Sequence, residues 1–339
     1  MLALRRALKK RSRVLRTRAQ HLAFAIVGVT ALGCFAALGL ATEDAGPARE
    51  AFVTNQTGDS LSIVDLASGA QATEIKIGGK PAGISMAPDG RFAYVTSPES
   101  KELVIVDANE RKIASRLTIG KGPLGIAVHP KGDRVYVADW YEHKLYAVDT
   151  DTRQISGSVE VGKSPSGVAV TADGTRIVTA DRDSNEISVI DASTLMRTGS
   201  VKVGERPFGV TVDRAGKRAY TANVGSDDVS IVDLAAGKVV GTVKVGHRPY
   251  AVALAGKHAF VTDQYGSTVT VFDLDTLSIV KTIEVGDYPE GIETDPSGTA
   301  VYVACWESNT LERIDTATLA VTQKITVGDG PRAFGRFLR

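Results

Sequence analysis

Seven prolines, Pro81, Pro123, Pro165, Pro207, Pro249, Pro289 and Pro331, divide most of this chain into equal lengths, with spacings of 42, 42, 42, 42, 40 and 42 residues. Each stands three residues after a glycine that follows Val or Ile: Gly78, Gly120, Gly162, Gly204, Gly246, Gly286 and Gly328. A register kept over seven copies is the signature of a repeat architecture, in which one supersecondary unit stacks on the next.

Within a unit, four apolar runs of strand length alternate with turn signals. The copy from Pro123 reads "GIAV", the turn "HPKGD", "RVYVAD", a short gap, "HKLYAVD", the turn "TDTRQ", and "SGSVEVG". Val, Ile, Tyr and Thr fill the runs, as residues that fit a pleated surface do. Four short antiparallel strands in about 42 residues make one propeller blade. The copy at Pro249 is shorter by two residues, lost in the turn "LAGKH" (254–258), where a hairpin absorbs a deletion.

The two ends predict a closed ring. The first copy begins at "AFVTN" (51–55), which matches a second strand, so its own first strand is missing. The chain finishes on "GPRAFGRFLR" (330–339), which matches a first strand and nothing more. Pairing of the two completes seven blades and leaves no long open sheet edge. The expected fold is an all-β, seven-bladed propeller of four-stranded antiparallel blades over residues 51–339.

The segments "FVTN" (52–55), "YVTS" (94–97), "YVAD" (136–139), "YTAN" (220–223) and "FVTD" (260–263) resemble the signature of the YVTN-type β-propeller repeat proteins. That resemblance covers everything after residue 50. It implies a propeller that is exported or displayed at the cell surface. It says little about activity, because propellers carry many unrelated functions.

Residues 1–41 hold eight basic residues and no acid, and their last twenty, "LAFAIVGVTALGCFAALGLA" (22–41), carry no charge. That order is an export signal, with small residues before Thr42 for cleavage, or equally an uncleaved membrane anchor. Lipidation at Cys34 fits poorly. Residues 42–50 form a linker. The expected address is periplasmic or exported, with membrane contact only through 22–41. Removing those eight from the 40 basic residues leaves 32 against 39 acids, about −7, which argues against a general polyanion binder. Cys34 lies in the export segment, so Cys305 has no partner for a disulfide.

Several motifs have a plain structural reading. "GKGPLG" (120–125) matches a dinucleotide fingerprint, but a strand follows it where a helix is needed. "NQT" (55–57) has the form of a glycosylation site, yet its sisters vary freely. Beyond residue 41 the four histidines, His129, His143, His247 and His258, show no metal-ligand spacing, so no metal and no cofactor is expected. Cys305 at a strand end reads as a small hydrophobe. Asp65, Asp107, Asp149, Asp191, Asp233, Asp273 and Asp315 recur in every copy and read as turn formers.

Positions that differ between copies are better candidates for function. The gap after the second strand and the Gly-x-x-Pro linker should open on one face of the disc. The gap carries Trp140, Tyr141, Arg182, Tyr265, Trp306 and Glu307; the linker carries Arg206, Phe208, Arg248, Tyr250, Tyr288, Glu290 and Arg332. Other blades manage with Val224-Gly225 or Gln56-Thr57 in the gap, so a fold does not require the aromatics there. Aromatics with interspersed arginine make a recognition surface.

The expectation is a non-enzymatic binding or scaffolding propeller whose partner is an exported protein or peptide, or single-stranded nucleic acid. The alternatives are a lactonase-like hydrolase or an electron-transfer accessory covering a cofactor, for which Glu290, Glu307 and His247 are the acid–base candidates. A competing reading of the aromatics is that they plug the mouth of the ring.

Overall fold

The structure, a computed structural model, describes Gly46 and residues 48–339. The basic and apolar segment 1–41, with its cleavage or anchoring, lies outside the described residues. Seven sheets follow in chain order, one of three strands, one of five and five of four, with neighbouring strands antiparallel except where the closing strand joins the five-stranded sheet. Blade 3 shows the plan, with strands Pro123–Val128, Arg134–Asp139, Lys144–Asp149 and Gln154–Glu160 running from the axis outward. The blades are numbered so that the prolines from Pro81 to Pro289 open blades 2 to 7.

Blade 1 has three strands of its own, Glu50–Asn55, Ser60–Asp65 and Ala70–Lys76, and the end of the chain supplies the fourth. Pro331 bridges Asn55 and Leu338 bridges Ala51, both antiparallel. Backbone amides complete the seam: Arg332 donates to Thr54 at 2.7 Å, Phe52 to Phe337 at 2.8 Å, and Arg339 to Glu50 at 2.8 Å. Between the bridges the closing segment bulges away, and Phe334–Arg336 pairs in parallel with Gly83–Met86 of blade 2. The seam therefore holds two blades at once. Glu293 of blade 7 adds a third grip, its carboxylate accepting the amides of Phe337 and Leu338.

Each blade is packed on both faces by its neighbours, which is why the inner strands read as unbroken apolar runs. Val135–Asp139 is buried at every position, whereas the outermost strand Gln154–Glu160 is largely exposed. The core is divided into clusters that lie between neighbouring blades, such as Tyr94, Leu103 and Ile126 with Val135 and Val137 between blades 2 and 3. At the axis the inner strands crowd together. A Cβ on Gly125 would stand 1.7 Å from the Ser166 carbonyl oxygen of the next blade, so no larger residue fits.

The repeated signature has a structural use at each letter. Its threonines tie blades together: Thr54 donates to the carbonyl of Ala82, Thr96 to Leu124 and Thr262 to Glu290. Its last residue ties the gap together, as where Asp139 accepts the amides of Lys121, Gly122, Tyr141 and Glu142. Asn55 is fully buried and bonded to Ser60 and Ser62, so "NQT" offers no free acceptor for a glycan. All seven recurring aspartates accept the amide of the residue three positions on, as expected of turn formers.

Candidate functional site

The gap and the linker do meet on one face. In six blades the first gap residue donates its amide to the carbonyl just before the proline, as Trp140 does to Gly122 at 2.9 Å and Trp306 to Tyr288 at 2.9 Å. Pro98 has no N–H to give, and in blade 2 Glu99 donates to Gly79 instead. The residue before the proline takes φ near +55° at Lys80, Ser164, Arg206, Arg248 and Tyr288. That conformation is costly for a side-chain-bearing residue.

The residue after each proline turns the other way, toward the axis. Phe208 and Tyr250 are 8% and 3% exposed and pack at 4.4 Å between ring centroids, with Phe334 of the closing segment at 5.2 and 5.5 Å. These three rings plug the mouth of the ring. For Phe208 and Tyr250 the plug reading is therefore the one the burial supports. Chain geometry alone did not separate them from their exposed neighbours; convergence of seven strands on the axis does.

Beside the plug lies a buried polar network. Arg332 Nε stands 3.1 Å from Glu290 Oε2 and donates to the Tyr250 hydroxyl at 2.8 Å. Glu290 Oε1 accepts from Gln264 at 2.6 Å, and Gln264 in turn accepts from Arg248 Nε at 2.6 Å. Burial raises the Glu290 carboxyl above its usual range, against the pull of the Arg332 guanidinium. Glu290 is thus held as one partner of an ion pair. His247 Nδ1 is paired separately with Asp227 at 3.0 Å, and Glu307 is exposed. Cys305 is fully buried and its thiol is pushed up to about 12 by desolvation, as an inert core thiol should be. Among the described residues no cluster of His, Cys, Asp and Glu could hold a metal ion.

The remaining candidates stay near the surface in two groups. Tyr265, 50% exposed, stacks its edge against His247 and Tyr288, and Tyr288 leads on to Trp306 at 6.3 Å. Arg248 lies 4.8 Å above the Tyr265 ring. On the other side Trp140 is half-buried, 6.4 Å from Phe208, with the Arg182 guanidinium 5.4 Å from its ring. Arg206 is exposed beyond the linker of blade 5. Tyr141 is 67% exposed and sets one edge of its ring against Gly122, where a Cβ would come within 2.5 Å of it.

A depression of about 520 Å³ opens beside Trp140 and Tyr141, over blades 1 to 3. Gln56, Thr57, Lys80, Pro98, Glu99, Gly122, Leu124, Phe208 and Arg332 complete its walls. Most of these were not singled out from the sequence, although they occupy the same two strips. The large side chains drew attention, but the hollow also takes in strip residues without aromatic rings, Gln56, Thr57 and Gly122 among them.

No protein-family model matches this chain, and no curated protein matches it. Solved structures do. A protein of unknown function from Desulfotomaculum acetoxidans aligns with TM-score 0.74 at 17% identity, over 85% of this chain and 98% of that one. A chain of Kuenenia stuttgartiensis hydrazine synthase aligns with TM-score 0.69 at 20% identity, over 75% and 89%. The dihydro-heme d1 dehydrogenase NirN, solved in complex with DHE, aligns with TM-score 0.64 at 15% identity, over 85% and 75%. At these identities the likeness is one of fold, and the fold shared is the β-propeller.

Proposed function

We propose that this chain is an exported, non-enzymatic binding propeller that recognises a protein or peptide partner on the gap-and-linker face. The observation that carries the reading is the depression over blades 1 to 3, walled by Trp140 and Tyr141. Its volume falls within the roughly 300–1,000 Å³ of ordinary ligand sites. Tyr141 and Trp140 are amphipathic rings of the kind that anchor interfaces, and the missing side chain of Gly122 leaves room for the Tyr141 ring. The export reading rests on the order of basic then apolar residues in 1–41 and on the resemblance to YVTN-type propellers, an exported family. Single-stranded nucleic acid is the weaker partner, given about −7 on residues 42–339.

A cofactor-associated role is the second reading, suggested by the hydrazine synthase and NirN likenesses. A visible absorption band in protein purified from its native host would favour it. The test of the binding reading is capture from the native periplasm by the tagged chain, compared with a Trp140→Ala/Tyr141→Ala variant. Loss of a specific captured protein in the variant is expected. Capture that is unchanged by both substitutions would remove the face from consideration.

A further inference from the structure

The depression has an unfilled donor in its wall. Arg332 spends Nε and Nη2 on the Tyr250 hydroxyl and faces Glu290 with Nε, and among the described residues nothing is bonded to its Nη1. The side chain is 16% exposed, so its position is fixed by the plug before any ligand arrives. Glu290 balances the charge and leaves the two Nη1 protons free to donate. Lys80, in the same wall, is held only loosely, with Asp59 Oδ2 at 3.3 Å and the Thr57 carbonyl at 3.4 Å. The apolar part of the lining is made of Leu124, Phe208 and Trp140.

The geometry points to a ligand that carries a carboxylate on a bulky apolar body, with the carboxylate taken by Arg332 and Lys80 and the body laid on Trp140 and Phe208. A peptide ending in a large apolar residue has this chemistry, and so does a free aromatic acid. This deepens the proposed binding role and depends on the same depression. The preference comes from donors rather than from net charge. Lys80 and Arg332 are each matched by an acid, and Glu99 adds an unmatched carboxylate to the wall. Glu99 therefore weakens what the two donors favour, and its removal has a definite sign.

Calorimetric titration of the full-length chain in detergent tests this with four probes. They are acetyl-Ala-Ala-Phe and 3-phenylpropanoate, each as the free acid and as the carboxamide. At least one acid is expected to bind roughly tenfold more tightly than its amide, the scale of a hydrogen bond to a charged group. Which acid binds identifies the source as a chain end or a free acid. Glu99→Gln should tighten the acid several-fold and leave the amide unchanged, and Lys80→Ala should weaken the acid. Both substitutions are at surface positions away from the plug, so folding is preserved. Equal binding of acid and amide, no binding of either at millimolar concentration, or an equal response of both to Glu99→Gln would each overturn the inference. Should that happen while periplasmic capture still depends on Trp140 and Tyr141, the binding role stands and only the carboxylate falls.

Discussion

The two halves of one face are built from the same repeat and end up doing opposite things. Over blades 5 to 7 the residues after the prolines are Phe208, Tyr250 and Glu290, and they fill the axis. Over blades 1 to 3 the closing Arg332, Ala82 and Leu124 take those places, and a hollow of about 520 Å³ remains. The amide bond between gap and linker is present on both sides, except in blade 2, where Pro98 has no N–H to give. What differs is side-chain volume at one position per blade. A ring of equivalent units thus acquires an off-axis site by filling one side of its mouth and leaving the other short of atoms.

The comparison breaks most severely if the ring loses its closing segment, which contributes Phe334 to the filled half and Arg332 to the open one. Removing residues 331–339 takes away Arg332 and Phe334 together with the seam to blades 1 and 2. A loss of cooperative folding, or association through the bared edge at Ala51–Asn55, is expected in thermal melts and sedimentation. A truncated chain that stays monomeric and melts within a degree or two of the parent would refute ring closure by strand pairing.

Within the filled half, Phe208→Ala should cost about 3–5 kcal/mol in denaturant melts, as buried aromatics do. Glu290→Gln strips the counter-charge from a buried arginine and should also cost about 3–5 kcal/mol. Values under about 1 kcal/mol for both, the range of surface changes, would mean that the plug is not packed as described.

A smaller effect separates the scaffold from both halves. Burial raises Asp181 and Asp263 to about 6 and Glu293 to about 7. A group whose pKa is raised on folding contributes its stability below its unfolded value and loses it as pH climbs through the folded value. Stability should therefore fall between about pH 4 and pH 7, the span of those shifts. The turn aspartates act in the opposite sense at lower pH, since hydrogen bonds from Ser193 and Thr194 hold Asp191 near about 2. Asn55 and Asn223 occupy the position of Asp181 in their own blades and donate to Ser62 and Ser230 there. Asp181→Asn should therefore be accommodated, with Ser188 as its partner, and flatten the decline. The gain at pH 7 is up to about 2–3 kcal/mol, at about 1.4 kcal/mol for each pKa unit. Unchanged pH dependence in this variant would place the effect elsewhere.

The smallest effect belongs to the open half. Tyr141→Ala should alter stability by no more than about 0.5 kcal/mol, because the ring is 67% exposed. Trp140, half-buried against Phe208, should fall between Tyr141 and Phe208. If Tyr141→Ala proves as costly as Phe208→Ala, the division of the face into filled and open halves is wrong.

By itself the sequence determined the repeat, the four strands of each blade, the completion of blade 1 by the end of the chain, and the sharing of one face by gap and linker. These follow from local rules: strand period, turn residues, and a proline register that repeats with the unit. It did not determine which members of the strips are buried. Phe208 and Tyr265 are both aromatics of the same strips, yet one is 8% and the other 50% exposed. The burial of Phe208 depends on Tyr250 and Phe334 arriving from blade 6 and from the end of the chain. The hollow beside Trp140 likewise depends on what is absent from blades 1 and 2. Contacts across a ring axis, and the space they leave, are sums over residues up to 250 or more positions apart, as in the 266-residue span from Ser62 to Gly328. No local pattern carries that sum, so only the closed ring decided it.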